Sequence, residues 1–315
     1  MKKAKKISGR VVKWIISKLP SVVKGTLIRN LITVDRSRHD EIIVKMAESI
    51  DEYEQVFTLL RKNYIEQGFV KPQEPLTLNK FQIANSSAVI IAKLDNKVIG
   101  TLTLVKKVEL GLPLERVFKI NNDLPFEGNA VEITCLAVDS NYRRKNGFNC
   151  LFPLMKFMYF YAKDFMMANR LFIACFPRDV DFYSAILFFK KIKKDAHVSD
   201  YLGAPATCLV LDMDNAHEVF KNAYAHKGLK RNLFSYFVEE KHDFLLYPAR
   251  PNKSVYSSFG NSLYEHFASK GYQLKLAGII ECSFFLKQFG RNVLMINSEE
   301  KEIPIDTDYL VKKAS

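Results

Sequence analysis

The period of the hydrophobic positions changes along the chain, and it divides the chain into elements. Residues 42–47 form an apolar run that predicts a first strand. Ser49 precedes a stretch in which Val56, Leu59, Leu60 and Tyr64 recur at helical spacing, and Glu52 stands at the capping-box distance from Ser49. That spacing predicts a helix to about Gln67, ended by Gly68 and Pro72. Two β-rich runs, 88–94 and 98–105, flank Asp95-Asn96-Lys97 and predict a hairpin with a polar turn. Residues 108–128 carry Gly111, Pro113 and Pro125 and predict a loop. Then follow a central strand over 130–138, a helix over 148–167, a strand over 171–176, a helix over 180–191 and a strand over 207–211. Strands paired first in hairpins and then alternating with helices imply a mixed α/β sheet.

The pattern changes at both ends. From Asp214 onward Val219, Phe220 and Tyr224 suggest a helix. Residues 247–251 interrupt it, and helical spacing returns over 257–289. Residues 214–315 therefore read as a mainly helical C-terminal extension, either covering the main domain or docking a partner. Residues from Ser298 on look charged and loosely ordered. Residues 1–34 read as two short amphipathic helices separated at Pro20, with Trp14 where an interfacial anchor would stand. Neither reaches the ~20 apolar residues of a membrane span. Such a segment can lie flat on an anionic membrane, pack on the protein's own body, or form a basic tail. The main domain is expected at 40–213.

Charge sharpens the reading of the N-terminus. The net charge is +13, and nine Lys and Arg residues precede the first acid, Asp35. The remainder is mildly basic, with its excess bunched at Arg143-Arg144-Lys145 and in the run 190–194. Such a field attracts acidic partners. The basic regions lack the interleaved aromatics of a nucleic-acid module, so nucleic acid is not expected. The five cysteines are scattered and form no C-x-x-C or Cys/His pair, which argues against a disulfide frame or a metal site and for a reducing cytoplasm. A peripheral position on the inner membrane face is compatible with the basic N-terminus.

The central strand carries the candidate chemistry. It runs into a turn of Asp139, Ser140 and Asn141, then into Arg143, Arg144, Lys145, Asn146, Gly147, Phe148 and Asn149, and then into a helix. A basic, glycine-containing turn at a helix start suits an anion, because unpaired backbone N–H groups and the helix dipole favour negative charge there. Glu132 is an acid in an otherwise apolar strand. Desolvation would raise its pKa toward the range of a base. It reads either as that base or as a structural carboxylate that hydrogen-bonds a neighbouring loop.

The turn resembles the R/Q-x-x-G-x-G/A loop of the GCN5-related acyltransferase (GNAT) superfamily, in which the loop holds the pyrophosphate of a pantetheine thioester. The ordered series Gly100–Val105, Gly111–Glu115, Glu132–Asp139, Pro177–Tyr183 and Gly203–Ala206 is similar to the N-acyl amino acid synthases of the FeeM type, themselves similar to acyl-homoserine lactone synthases. The resemblance covers roughly residues 42–213. It implies an α+β, GNAT-like fold: a mixed, mostly antiparallel central sheet flanked by helices. It also implies an N-acyltransferase that moves a long-chain acyl group to the amine of an amino acid.

The donor would be a phosphopantetheine thioester of acyl carrier protein, or an acyl-CoA on another amine; no cofactor would be permanently bound. A non-catalytic module of the same fold at a membrane is a further alternative. The resemblance gives Glu132 the role of the base and places Tyr183 before the thiol sulfur. Leu136 and Val138 would present backbone N–H groups to the thioester carbonyl, and residues 143–149 would hold the phosphate. Tyr64, Phe69 and Thr134 would line the substrate pocket, although core packing explains Tyr64 and Phe69 equally. The chain departs from the pattern at Asn149, which crowds a nucleotide diphosphate and fits a carrier protein's single phosphate. It departs again at Phe176-Pro177-Arg178-Asp179, in place of Asn-Pro-x-His. An acidic carrier protein would find a docking strip in Arg143–Lys145 and in the run 190–194.

Overall fold

Nine strands assemble into one mixed sheet in the computed structural model, which describes residues 21–34, 36, 41–118, 120, 128–142, 150–192, 196–197, 205–248, 253–276 and 278–289. Helix α1 (Ser21–Leu31) comes first, followed by β1 (Ile42–Met46) and helix α2 (Ile50–Glu66). Ser49 caps α2 by accepting the Glu52 N–H at 3.2 Å. The Glu52 carboxylate reaches back to the Glu48 N–H at 2.9 Å, one residue earlier than the spacing predicts. Burial works against this carboxylate, but the Glu48 amide, Lys93 and Lys45 more than offset it and hold its pKa below the usual range. Then come β2 (Thr77–Leu78), α3 (Lys80–Ile83), and the expected hairpin of β3 (Ser87–Leu94) and β4 (Lys97–Lys106).

The central strand is β5 (Asn129–Val138). It leads past a single 3₁₀ turn at Ser140–Tyr142 toward helix α4 (Leu151–Phe160), which widens into a π turn over Tyr161–Phe165. Strand β6 (Ala168–Cys175) and helix α5 (Val180–Leu187) follow. Helix α5 is shorter than its hydrophobic period predicts. Phe188 takes a left-handed conformation, φ 61°, and turns the chain into β7 (Lys190–Lys191), which pairs with Val210 and Leu209. Two lysines of the basic run thus lie exposed on a sheet edge, a common protection of edge strands. Beyond β8 (Ala196–His197), β9 (Pro205–Asp212) completes the main sheet core.

The sheet order is β10-β1-β3-β4-β5-β6-β9-β7, with β8 on β9. Only the β1–β10 and β5–β6 pairs are parallel in it. The sheet is therefore mixed, mostly antiparallel and flanked by helices, as the resemblance implied. The C-terminal residues contribute to both layers. Helix α6 (Met213–Tyr224) and the π turn Ser235–Glu239 pack with α4 and α5 on one face, and β10 (Leu245–Leu246) joins the sheet beside β1. Helices α7 (Lys253–Ser269) and α8 (Gly278–Phe289) cover the other face with α3 and part of α2, and β11 (Gln273–Leu274) pairs with β2. Among the described residues no helix is long and apolar enough to cross a membrane.

Candidate active site

Strands β5 and β6 stay in parallel register only as far as Ile133–Ile173. Beyond that pair β5 remains bonded to β4 and β6 to β9, so the two central strands part. The parting coincides with an irregularity in β5. Thr134 pairs with Thr103 and Ala137 with Thr101, so Cys135 and Leu136 both stand opposite Leu102. This is a β-bulge, which re-aims side chains and often sits beside an active site. Cys135 carries it in a left-handed conformation, φ 53°, uncommon for a residue with a side chain.

Each face of the bulge opens onto a different environment. On the α4 face, Leu136 and Tyr183 line a small apolar cavity with Ile133, Met155, Met158 and Leu187. A second cavity, about 440 Å³ measured out to its mouth, shares Met155, Met158, Leu187 and Phe189 with the first and continues toward Leu171, Phe220 and Phe237. The pair forms an apolar path that starts where the strands part. Methionines are compliant walls, able to re-pack around a flexible chain. Gly100 lets α4 approach β4 at the head of this path: a Cβ there would stand 2.9 Å from Cys150 Sγ and 3.0 Å from Leu154 Cδ1.

The α2 face is polar around the sulfur. Asn79 Nδ2 donates to Cys135 Sγ at 3.3 Å, Thr134 Oγ1 at 3.7 Å and Tyr64 Oη at 3.8 Å. Burial raises the Cys135 thiol pKa, with the Glu132 carboxylate adding to the shift and the three donors opposing it. The sulfur is therefore a neutral thiol at physiological pH, not a nucleophilic thiolate. Tyr64 also meets Phe69 at 6.3 Å between ring centroids, Phe69 stacks on Phe176 at 5.4 Å, and the Arg178 guanidinium lies 4.6 Å from the Phe176 ring centroid. The end of α2 thus leans across to the end of β6, over the gap between the strands.

Glu132 is fully buried, and its Oε2 accepts the Leu114 N–H at 2.8 Å. The carboxylate therefore ties β5 to the 3₁₀ turn Pro113–Arg116 within the loop expected at 108–128. Tyr183 is half-buried by its neighbours, and burial, with Cys175 and Asp179 adding, pushes its phenol well above the usual range. Its hydroxyl stays protonated at neutral pH. Val138 pairs with Gly100 at the end of the bulge. Asp139 closes the strand by accepting the Asn141 N–H at 2.9 Å, an Asx turn into the basic segment. Residues 143–149, the expected phosphate loop, lie outside the described residues, as do 193–194. No group of three metal-ligating side chains occurs among the described residues.

The structure thus brings Tyr64, Phe69, Thr134, Leu136, Val138 and Tyr183 around one gap, with Glu132 at the root of the same strand. Sequence reasoning did not single out Cys135, Asn79 or the methionine pair. A left-handed residue inside an apolar run leaves no signature in composition or period. Asn79 had a local one, since it caps α3 through the Phe81 N–H at 3.1 Å, but nothing local points it at Cys135.

Comparison with known proteins gives the site a context. The chain is similar over 56% of its length to the structure of FeeM, an N-acyl amino acid synthase from uncultured soil microbes, at 18% identity and a TM-score of 0.49, with 93% of that chain covered. It is similar to the CoA-dependent acyl-homoserine lactone synthase BjaI at 11% identity and a TM-score of 0.47, over 70% of this chain and 99% of that one. Similarity to ElaA of Escherichia coli is weaker, at 11% identity and a TM-score of 0.39, over 55% and 99%. None of the curated proteins compared matches it. The family model of the N-acyl amino acid synthase FeeM matches residues 55–212, half of the chain, from within α2 to the end of β9. The protein belongs to the FeeM family of N-acyl amino acid synthases and is an N-acyltransferase.

Proposed function

We propose that this N-acyltransferase moves a long-chain acyl group from the phosphopantetheine arm of an acyl carrier protein to the amine of an amino acid. The observation that carries this reading is the apolar path leading inward from Leu136 and Tyr183. An acetyl group has no use for it, whereas a long acyl chain gains about 0.8 kcal/mol for each methylene it buries there.

In this reading the thioester carbonyl lies at the β5 bulge and the acyl chain runs between α4 and the sheet. The amine approaches from the Tyr64–Asn79–Phe69 side. Its nitrogen attacks the carbonyl carbon after losing a proton, for which Glu132 is the base. Backbone N–H groups at Leu136 and Val138 steady the oxyanion. The C–S bond then breaks as the nitrogen gives up its second proton, which passes through the Tyr183 hydroxyl to the departing sulfur, so that Tyr183 ends protonated. Residues 143–149 hold the phosphate, and the exposed Lys190 and Lys191 support an acidic carrier protein as the donor.

A membrane surface is a second partner in this reading. Helix α1 leaves Val23, Leu27 and Leu31 exposed at helical spacing, while Lys24 and Arg29 turn inward to Asp181 and the Ala185 carbonyl. The exposed Leu229, Lys230 and Arg231 lie beside it, joined by the Val34 N–H to the Lys230 carbonyl at 2.9 Å. Apolar side chains ringed by basic ones suit an anionic bilayer.

The test is incubation of the purified protein with matched acyl-carrier-protein and coenzyme A thioesters and a panel of amino acids, read by mass spectrometry. An N-acyl amino acid formed faster from the carrier protein is expected. A faster reaction with coenzyme A reassigns the donor, and no acylated amine from any long-chain donor overturns the reading.

A further inference from the structure

The inner end of the apolar path is built by residues that lie beyond the family-matched segment. Phe220 of α6 and Phe237 and Val238 of the following π turn line the larger cavity, and none of them lines the smaller one that reaches Tyr183. The strand register sets the span. Leu171 pairs with Val131, and Leu136 lies five residues further along β5. At the rise of a strand that is about 15 Å of path.

This end wall differs in character from the sides. The Phe220 and Phe237 rings meet edge to face at 6.0 Å and 69°. Phe188 packs on Phe220 at 5.4 Å and Phe152 on Phe237 at 5.9 Å. The turn that carries Phe237 is pinned from behind. Lys156 of α4 donates to the Tyr236 carbonyl at 2.5 Å and to the Glu240 carbonyl, and Arg36 grips the Glu240 carboxylate at 2.7 Å. Compliant methionines along the sides and a braced aromatic pair at the end are a combination that admits a chain and limits its length.

We infer that the Phe220–Phe237 pair, with Val238, is the stop that sets the maximum acyl-chain length of this enzyme. The inference rests on the long-chain reading proposed above. It assigns to the C-terminal residues a part in substrate choice in addition to covering the sheet.

The experiment gives wild type, Phe220→Ala, Phe237→Ala, Phe220→Leu and Val238→Trp an equimolar mixture of octanoyl to octadecanoyl thioesters and reads product lengths. Thermal stabilisation by free fatty acids of the same lengths is measured alongside. Shortening either phenylalanine should raise the kcat/KM ratio of longer over shorter chains about tenfold or more, and Val238→Trp should move it the other way. An unchanged ratio in variants that turn over, or a proportional fall at every length, overturns the stop and leaves the proposed function standing. Should the alanine variants not fold, Phe220→Leu and Val238→Trp decide the matter. A wild type that neither uses nor is stabilised by any long chain removes the proposed function and the stop together.

Discussion

Asn79 donates to the sulfur of Cys135 across 3.3 Å while its own oxygen caps helix α3. One side chain thereby joins a short helix to the bulge of the central strand, 56 residues away in sequence. The bulge is where strands β5 and β6 part, so this contact lies beside the gap in which acyl transfer is proposed to occur.

The left-handed backbone at Cys135 sets a limit on what can replace it. A β-branched residue is poorly suited to φ 53°. Cys135→Val should destabilise the fold by about 1–2 kcal/mol and lower kcat, while Cys135→Gly keeps the bulge at a smaller cost. Denaturant unfolding and initial rates check both. A valine variant indistinguishable from wild type would show that the backbone conformation is unimportant.

Glu132 is proposed to act on the amine and visibly holds a loop, and two substitutions separate the roles. Glu132→Gln keeps an oxygen to accept the Leu114 N–H, so its melting temperature should stay near that of wild type while kcat falls about 10²- to 10⁴-fold. Glu132→Ala should also lose about 1–3 kcal/mol, because the Leu114 N–H is left buried and unpaired. Full activity in the glutamine variant would leave Glu132 with the structural role alone.

Gly100 is required by contact rather than by backbone angle. Its missing Cβ would stand 2.9 Å from Cys150 Sγ, so Gly100→Ala should push the start of α4 outward and cost about 1–3 kcal/mol. Cys150→Ala in the same chain should restore part of that loss, and a double-mutant cycle of unfolding free energies measures it. Additive effects would mean that the two side chains do not collide.

Lys156 is buried, and desolvation lowers its pKa from 10.5 to about 8, although Glu240 opposes the shift. Below pH 8 the ammonium is charged in both folded and unfolded chains. Between pH 8 and 10.5 the unfolded chain holds the proton more tightly, so stability should rise with pH in that window, by at most on the order of 3 kcal/mol. Unfolding curves across the window should lose this rise in Lys156→Met. A wild-type stability that falls steadily from pH 8 upward, with no difference from Lys156→Met, contradicts the assignment.

The exposed stripe on α1 predicts binding to vesicles containing phosphatidylglycerol and little binding to neutral ones. Leu27→Glu with Leu31→Glu should weaken sedimentation with the anionic vesicles, and added salt should weaken it further. Equal binding by the double variant would remove α1 from the membrane contact.

Local pattern carried much of the fold. The Ser49 cap, the polar hairpin turn and the apolar run of β5 each involve neighbours in sequence, so their elements were legible to within a few residues. The mixed sheet followed from their order. Motif order also pointed to the acyltransferase family, because phosphate loops and central strands keep their spacing. The end of α5 was not legible: the pairing of Lys190 and Lys191 with β9 overrode the helical period, and that pairing exists only once the sheet has formed. The same holds for the site. A run of apolar letters does not reveal that Cys135 bends left-handed, that Asn79 reaches it, or that Phe220 and Phe237 close a path beginning at Leu136. Those relations join residues far apart in sequence, and long-range packing alone decides them.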